Sequence, residues 1–247
     1  MLNNLVGVQS VIPASAAPIA GYSLWLDGSD ASTFTFSSGT RVSQWNDKSA
    51  NGYHFVQATG AAQPDRNVTQ NGKSAVKMAV SGSTYFMTNT SLGDWSASAF
   101  TVCAVIDFNG GNYTAIIGRN STAALAMGSD LASANFAISR IGQATSSSNL
   151  APTGSNADVA IYKSAGISSG SISLDFYKNG TAGSAALTLT SLGSGNKNII
   201  GGSVDTAVTD RFGDDGYICE IIIYPSQLSN TDRGLVEAYL KNKWGTP

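Results

Sequence analysis

Alternation of apolar and polar positions dominates the chain from residue 21 to about 226. Tyr22, Leu24 and Leu26 alternate with Ser23, Trp25 and Asp27, and Val76, Met78 and Val80 repeat the pattern. Phe100, Val102, Ala104, Ile106 and Phe108 carry it further. A period of two sends one set of side chains to a buried face and the other outward, as a half-buried strand requires. Ile172, Leu174 and Phe176 run into Asn179-Gly180. That pair predicts a tight hairpin, because both central positions of a type I′ turn need positive φ. Strand follows strand without intervening helices, which predicts an antiparallel sandwich rather than βαβ units.

The last strand, Tyr217 to Tyr224, is apolar on both faces except at Glu220 and is ended by Pro225. It reads as a central strand. A helix over 229–244 follows. Ser229 is its N-cap with Asp232 three residues on, Leu235/Tyr239 and Val236/Leu240 form its apolar stripe, and Gly245 stops it. The expected role is a lid over one end of the sandwich. Residues 1–20 form a separate zone in which Leu5, Val8, Val11 and Ile12 are apolar while Pro13 and Pro18 break any helix. They predict an extended attachment arm ahead of a single domain at 21–247.

Composition narrows the functional classes. Charged residues are 12% of the chain, about half the ~25% usual for soluble domains. Ser, Thr, Asn and 27 Gly supply the polarity instead, and 42% hydrophobic content supports a core. A net charge of -2 argues against nucleic acid as partner, since binding phosphates requires a basic face. No apolar run approaches the ~18 residues of a membrane span, so no membrane partner is expected. The N-terminal stretch lacks a basic residue ahead of its apolar part, which argues against a cleaved signal. Cys103 and Cys219 both fall in strands; they are expected as buried free thiols, with a cross-link open if their strands are neighbours.

Several segments, taken in order, resemble the LamG-like branch of the concanavalin A-like lectin/glucanase superfamily. They are Leu24-Trp25-Leu26-Asp27, Val42 to Asp47, Phe100-Thr101-Val102, Tyr177-Lys178-Asn179-Gly180, Ile199-Ile200-Gly201-Gly202, and Gly216 to Tyr224 with Leu228-Ser229, Tyr239-Leu240 and Lys243-Trp244-Gly245. The resemblance implies an all-β, two-sheet jelly roll and covers nearly all of residues 21–247. Domains of this kind with an unrelated arm are similar to bacteriophage virion components, both capsid decoration and fibre proteins. That analogy implies a non-enzymatic structural protein of an extracellular particle. Other virion proteins would be its partners through Leu5, Val8, Val11 and Ile12, and symmetric association, commonly trimeric, would be expected.

Catalytic signals are sparse. Glycosidases of the resembled superfamily carry an E-x-D-x-x-E run whose acids share one strand face. Here Glu220 is followed by Ile222 and Pro225 at the other two positions, so Glu220 is expected as an acceptor at the sheet edge or the partner of an arginine. The single histidine, His54, has no nucleophile elbow to serve and reads as a loop residue. Zinc and dinucleotide signatures are missing, and no cofactor is expected. Calcium is the one ion to weigh, at Asp205, Asp210, Asp214 and Asp215 or at Asp27, Asp30 and Asp47, against ordinary turn chemistry. Sugar binding needs aromatic platforms in a concavity. The candidates are Trp45, Tyr53, Tyr85, Trp95 and Tyr113, for an alternative reading as a carbohydrate-binding fibre or adhesion module recognising surface glycans.

Overall fold

The computed structural model describes residues 19–80, 83–108, 115–120, 125–129, 135–140, 145–147, 150–153, 156–166, 170–189, 197–201 and 216–247. The arm, with Leu5, Val8, Val11 and Ile12, lies outside the described residues, as do Tyr113 and Asp205, Asp210, Asp214 and Asp215.

The described strands pair antiparallel throughout and form two layers. The first runs Thr181–Leu189, Gly170–Lys178, Asp158–Ser164, Phe100–Asp107 and Tyr217–Tyr224; the last of these is flanked on its other side by Leu24–Asp27 and by Lys73–Lys77, which pairs in turn with Asp65–Gln70. The second runs Thr145–Ser147, Phe136–Arg140, Leu125–Ser129, Ala115–Asn120, Lys197–Ile200, Met87–Asn89, Phe55–Val56, Arg41–Trp45 and Phe34–Ser38. The layers are stitched at one corner, where Arg41 pairs with Asp65. This is the antiparallel β-sandwich that the alternation predicts.

The inner faces meet in one apolar cluster. Leu24, Leu26, Val102, Ala104, Tyr162, Phe176, Ile221 and Ile223 come from the first sheet, and Val42, Trp45, Phe55, Met87, Ile117, Phe136 and Ile200 from the second. Two hairpins turn through Asn-Gly pairs with positive φ at both positions, Asn71-Gly72 and Asn179-Gly180. At Gly180 the positive φ disfavours a side chain, and a Cβ there would also come within 2.9 Å of Glu237 Oε1 on the helix, which would have to shift.

The helix Asn230–Trp244 has the expected caps. Ser229 Oγ accepts from the Asp232 N–H at 3.1 Å, and Gly245 closes the end in the left-handed region. Its position differs from the expected lid over one end. It lies across the outer face of the first sheet, where Val236, Tyr239, Leu240 and Trp244 join Trp25, Cys103, Val105, Ile161, Ile222 and Tyr224 in a second apolar cluster. Alternate residues of Leu24–Asp27, Phe100–Asp107 and Tyr217–Tyr224 therefore serve two different cores, so both of their faces are buried. Cys103 and Cys219 lie on adjacent strands but out of register, since Cys103 stands opposite Ile222, and both are buried free thiols.

Candidate functional site

The aromatic side chains proposed from sequence as sugar platforms separate into two pairs. Trp45 is fully buried and stacks on Phe34, with centroids 5.2 Å apart. Tyr85 is 2% exposed under the Arg41 guanidinium, which stands 4.9 Å from its ring centre. Neither can meet a ligand, so both leave the candidate set: residue type alone did not reveal that they are buried. Tyr53 and Trp95 are half-buried and line the same cleft of about 220 Å³, together with Ser23, Leu92, Asp94, Ser98 and Pro225.

That cleft sits at one end of the sandwich, where the chain enters Leu24–Asp27 and Phe100–Asp107 and leaves Tyr217–Tyr224. Both aromatic residues are held from behind. Trp95 packs edge-on against Phe100 at 5.2 Å, and its indole Nε1–H donates to Asn198 Oδ1 at 2.9 Å. The Asn198 amide in turn donates to the Gly93 carbonyl at 3.2 Å. Tyr53 leans on the inter-sheet core, and its backbone N–H donates to Asp47 Oδ2 at 3.0 Å. Asp47 also accepts from the N–H groups of Trp25 and Ser49 at 2.9 and 2.8 Å, which fixes the whole 47–53 loop against the first strand.

Those bonds also decide the calcium question at the N-terminal acids. The Asp47 oxygens are taken up by N–H donors. Asp27 and Asp30 share Lys48, at 3.0 and 2.8 Å, and Asp27 also meets Lys243 at 2.8 Å. The Lys48 and Ser32 hydrogen bonds hold the Asp30 carboxyl down at about 2. These carboxylates have ammonium partners and do not converge on an oxygen cage. No group of three or more His, Cys, Asp or Glu suited to a metal occurs among the described residues.

A second cleft, of about 290 Å³, is lined by chain neighbours of Tyr53 and Leu92. Gln44, His54, Val56, Thr88, Asn89, Thr90 and Ser91 line it. His54 is exposed, and its Nδ1 accepts from the Asp47 N–H at 3.1 Å. Nε2 therefore carries the ring proton in the neutral form. Asn89 binds both rims. Its amide donates to the His54 carbonyl at 2.7 Å, and its Oδ1 accepts from the N–H groups of Ser91 and Leu92 at 2.9 and 2.7 Å. Asn89 and Asn198 are cross-strand partners. Sequence reasoning missed this pair and Asp94, since the two asparagines are more than a hundred positions apart and only the pairing of their strands joins them.

Glu220 is far from both clefts in role. Its carboxylate is fully buried beneath the helix and accepts from Trp25 Nε1 at 2.7 Å, Trp244 Nε1 at 2.6 Å and the Tyr239 hydroxyl at 3.0 Å. Lys243 Nζ lies 2.7 Å away. The expected position at a sheet edge, or on an arginine, is replaced by the middle of a helix-covered face and a lysine. Burial pushes the Glu220 carboxyl up, with the Lys243 charge opposing it.

No protein-family model matches the sequence, and no curated protein sequence matches it. Solved structures do share the fold. An arabinofuranosidase complexed with arabinofuranosyl-α-1,2-xylobiose superposes with a TM-score of 0.59 at 14% identity, over 93% of this chain and 60% of that one. A GH54 α-L-arabinofuranosidase soaked with a cyclic sulfate inhibitor gives 0.60 at the same identity and coverage. Trypanosoma rangeli sialidase in complex with sialic acid gives 0.53 at 16%, over 96% of this chain and 36% of the other. This chain thus spans about 60% of the arabinofuranosidase chains and about a third of the sialidase chain.

At such identity the likeness defines a class by fold, the two-sheet β-sandwich found within glycosidase chains. It corrects the expectation of a non-enzymatic structural protein of a virion. These three chains are glycosidases, so a missing E-x-D-x-x-E run is no ground for setting carbohydrate chemistry aside.

Proposed function

We propose that this protein is carbohydrate-active and takes a sugar ring in the cleft between Tyr53 and Trp95. One observation carries the reading: two half-buried aromatic side chains share a concavity with Ser23, Ser98 and Asp94. Aromatic faces cover the C–H surface of a sugar, and nearby hydroxyl and carboxylate oxygens bond its hydroxyl groups. The cleft is preorganised, because Asn198 and Asp47 fix the two platforms before any ligand arrives. That the fold neighbours are glycosidases favours a glycan over other small molecules.

A second reading at the same cleft is glycoside hydrolysis, favoured by the Asp94 carboxylate in its wall. Most such reactions need two carboxyl groups flanking the bond, one acting as acid and the other as base or nucleophile. Asp94 is the one carboxylate among the cleft-lining residues that are described. One experiment separates the readings. The protein is titrated with arabinofuranosyl-α-1,2-xylobiose and sialyllactose by calorimetry, and incubated with 4-nitrophenyl α-L-arabinofuranoside. Saturable binding lost in Trp95→Ala supports the sugar site. Release of 4-nitrophenol lost in Asp94→Asn supports hydrolysis. No heat and no release with any of these probes would sink both.

A further inference from the structure

We propose that the cleft beside His54 and Ser91 is a second sugar subsite, so that the ligand is a neutral oligosaccharide spanning both clefts rather than a single ring. This rests on the sugar-binding reading of the Tyr53–Trp95 cleft. Size is the first argument. At about 220 and 290 Å³, each cleft alone falls below the roughly 300–1,000 Å³ of ordinary small-molecule sites, whereas the two together lie within it. They are linked along the chain, since Gly52 and His54 flank Tyr53 and Ser91 precedes Leu92, and these neighbours line the second cleft.

The chemistry of the second cleft is the next argument. Its walls offer amides, hydroxyls and an imidazole, from Gln44, Asn89, Thr88, Thr90, Ser91 and His54, and no Asp, Glu, Lys or Arg is among the described residues that line it. Donors and acceptors in this number suit ring hydroxyls, and no lysine or arginine among the described lining residues offers a fixed charge to a carboxylate, sulfate or phosphate. The His54 Nδ1 is already occupied by the Asp47 N–H, which leaves Nε2–H as the donor for a ligand. Asn89 uses its Oδ1 and one amide N–H on the protein and so acts as a positioning residue. By tying the His54 carbonyl to the Ser91-Leu92 turn, it fixes the second cleft relative to the first. With Asn198 behind Trp95, one buried asparagine pair sets the spacing of both subsites.

The test compares affinities for xylose, xylobiose, arabinofuranosyl-α-1,2-xylobiose and sialic acid in the wild type, in Trp95→Ala, and in the exposed-rim variants Thr90→Val and Ser91→Ala. Melting temperature confirms that each variant is folded. The neutral oligosaccharides are expected to bind about tenfold or more tighter than xylose, and the rim variants to erase that gain while leaving xylose binding unchanged. Equal affinity for xylose and xylobiose, or rim variants with wild-type affinities, would overturn the second subsite and leave the first standing. Preference for sialic acid over every neutral sugar would overturn the neutral class. No binding of any sugar would instead remove the parent reading.

Discussion

Glu220 and Lys243 meet at 2.7 Å in a place that solvent does not reach, one on the central strand and the other in the last turn of the helix. Lys243 also reaches Asp27 at 2.8 Å, so a single ammonium bridges two carboxylates brought together from opposite ends of the chain. Two indole N–H groups, from Trp25 and Trp244, complete the shell around Glu220. Removing one member of such a group costs far more than the pair contributes, because an unpaired buried charge remains. Lys243→Met is expected to destabilise the fold by about 3–5 kcal/mol, measured by chemical denaturation. A loss within the range of an exposed ion pair, below about 1 kcal/mol, would contradict the arrangement.

Acid should act on the neighbouring carboxylates. The bonds from Lys48 and Ser32 depress the Asp30 carboxyl from 3.8 to about 2. For Asp27, burial pushes upward, but the Lys243 charge with the bonds from Lys243 and Ser29 outweighs it, and the net shift is downward. A carboxyl depressed by folding contributes stability above its unfolded value and loses it as pH falls through the folded value. Glu220, raised by burial, runs the other way: its contribution is present below 4.5 and is lost as pH rises above that and through its raised folded value. The melting temperature of the wild type should therefore fall between pH 3.8 and about 2, and Asp30→Asn should fall less over that window. Parallel curves would show that the Lys48 bonds are not made in solution.

The thiols should be inert in the folded protein. Burial raises both Cys103 and Cys219, and the thiolate is the reactive form. Iodoacetamide labelling read by mass spectrometry is expected to modify neither without denaturant and both with it. Labelling of either cysteine under native conditions would place it elsewhere than beneath the helix.

The four described aromatic candidates should divide under substitution. Trp45→Ala is expected to cost about 3–5 kcal/mol, as for other large core residues. Trp95→Ala should leave most of the stability in place and remove sugar affinity, because its ring forms a cleft wall. The reverse result, with Trp45 required only for binding, would mean the sheet faces have been assigned the wrong way round.

Much of the fold is legible in local pattern. Alternation marks Phe100–Asp107, Ser229 and Gly245 bound the helix, and Asn71-Gly72 and Asn179-Gly180 carry their turns openly. The site is less legible, for a physical reason. An aromatic residue in a strand gives no sign of which layer lies over it, so Trp45 and Trp95 look alike until the sheets are stacked. Glu220 reads as an acid missing its catalytic companions, yet its partners are Trp25, Tyr239, Lys243 and Trp244, which only the docking of the helix brings together. Asn89 and Asn198 are ordinary strand residues until strand pairing makes them the frame of two clefts.

The indole N–H resonances test the central claim most directly. Trp25 is 4% exposed, Trp45 and Trp244 are fully buried, and Trp95 alone of the four tryptophans lines the cleft. During titration with arabinofuranosyl-α-1,2-xylobiose, the Trp95 signal is expected to shift to saturation while the other three stay in place. Saturation of the protein with sugar while the Trp95 signal stays still, or with a shift at Trp25 or Trp244 instead, would contradict the cleft.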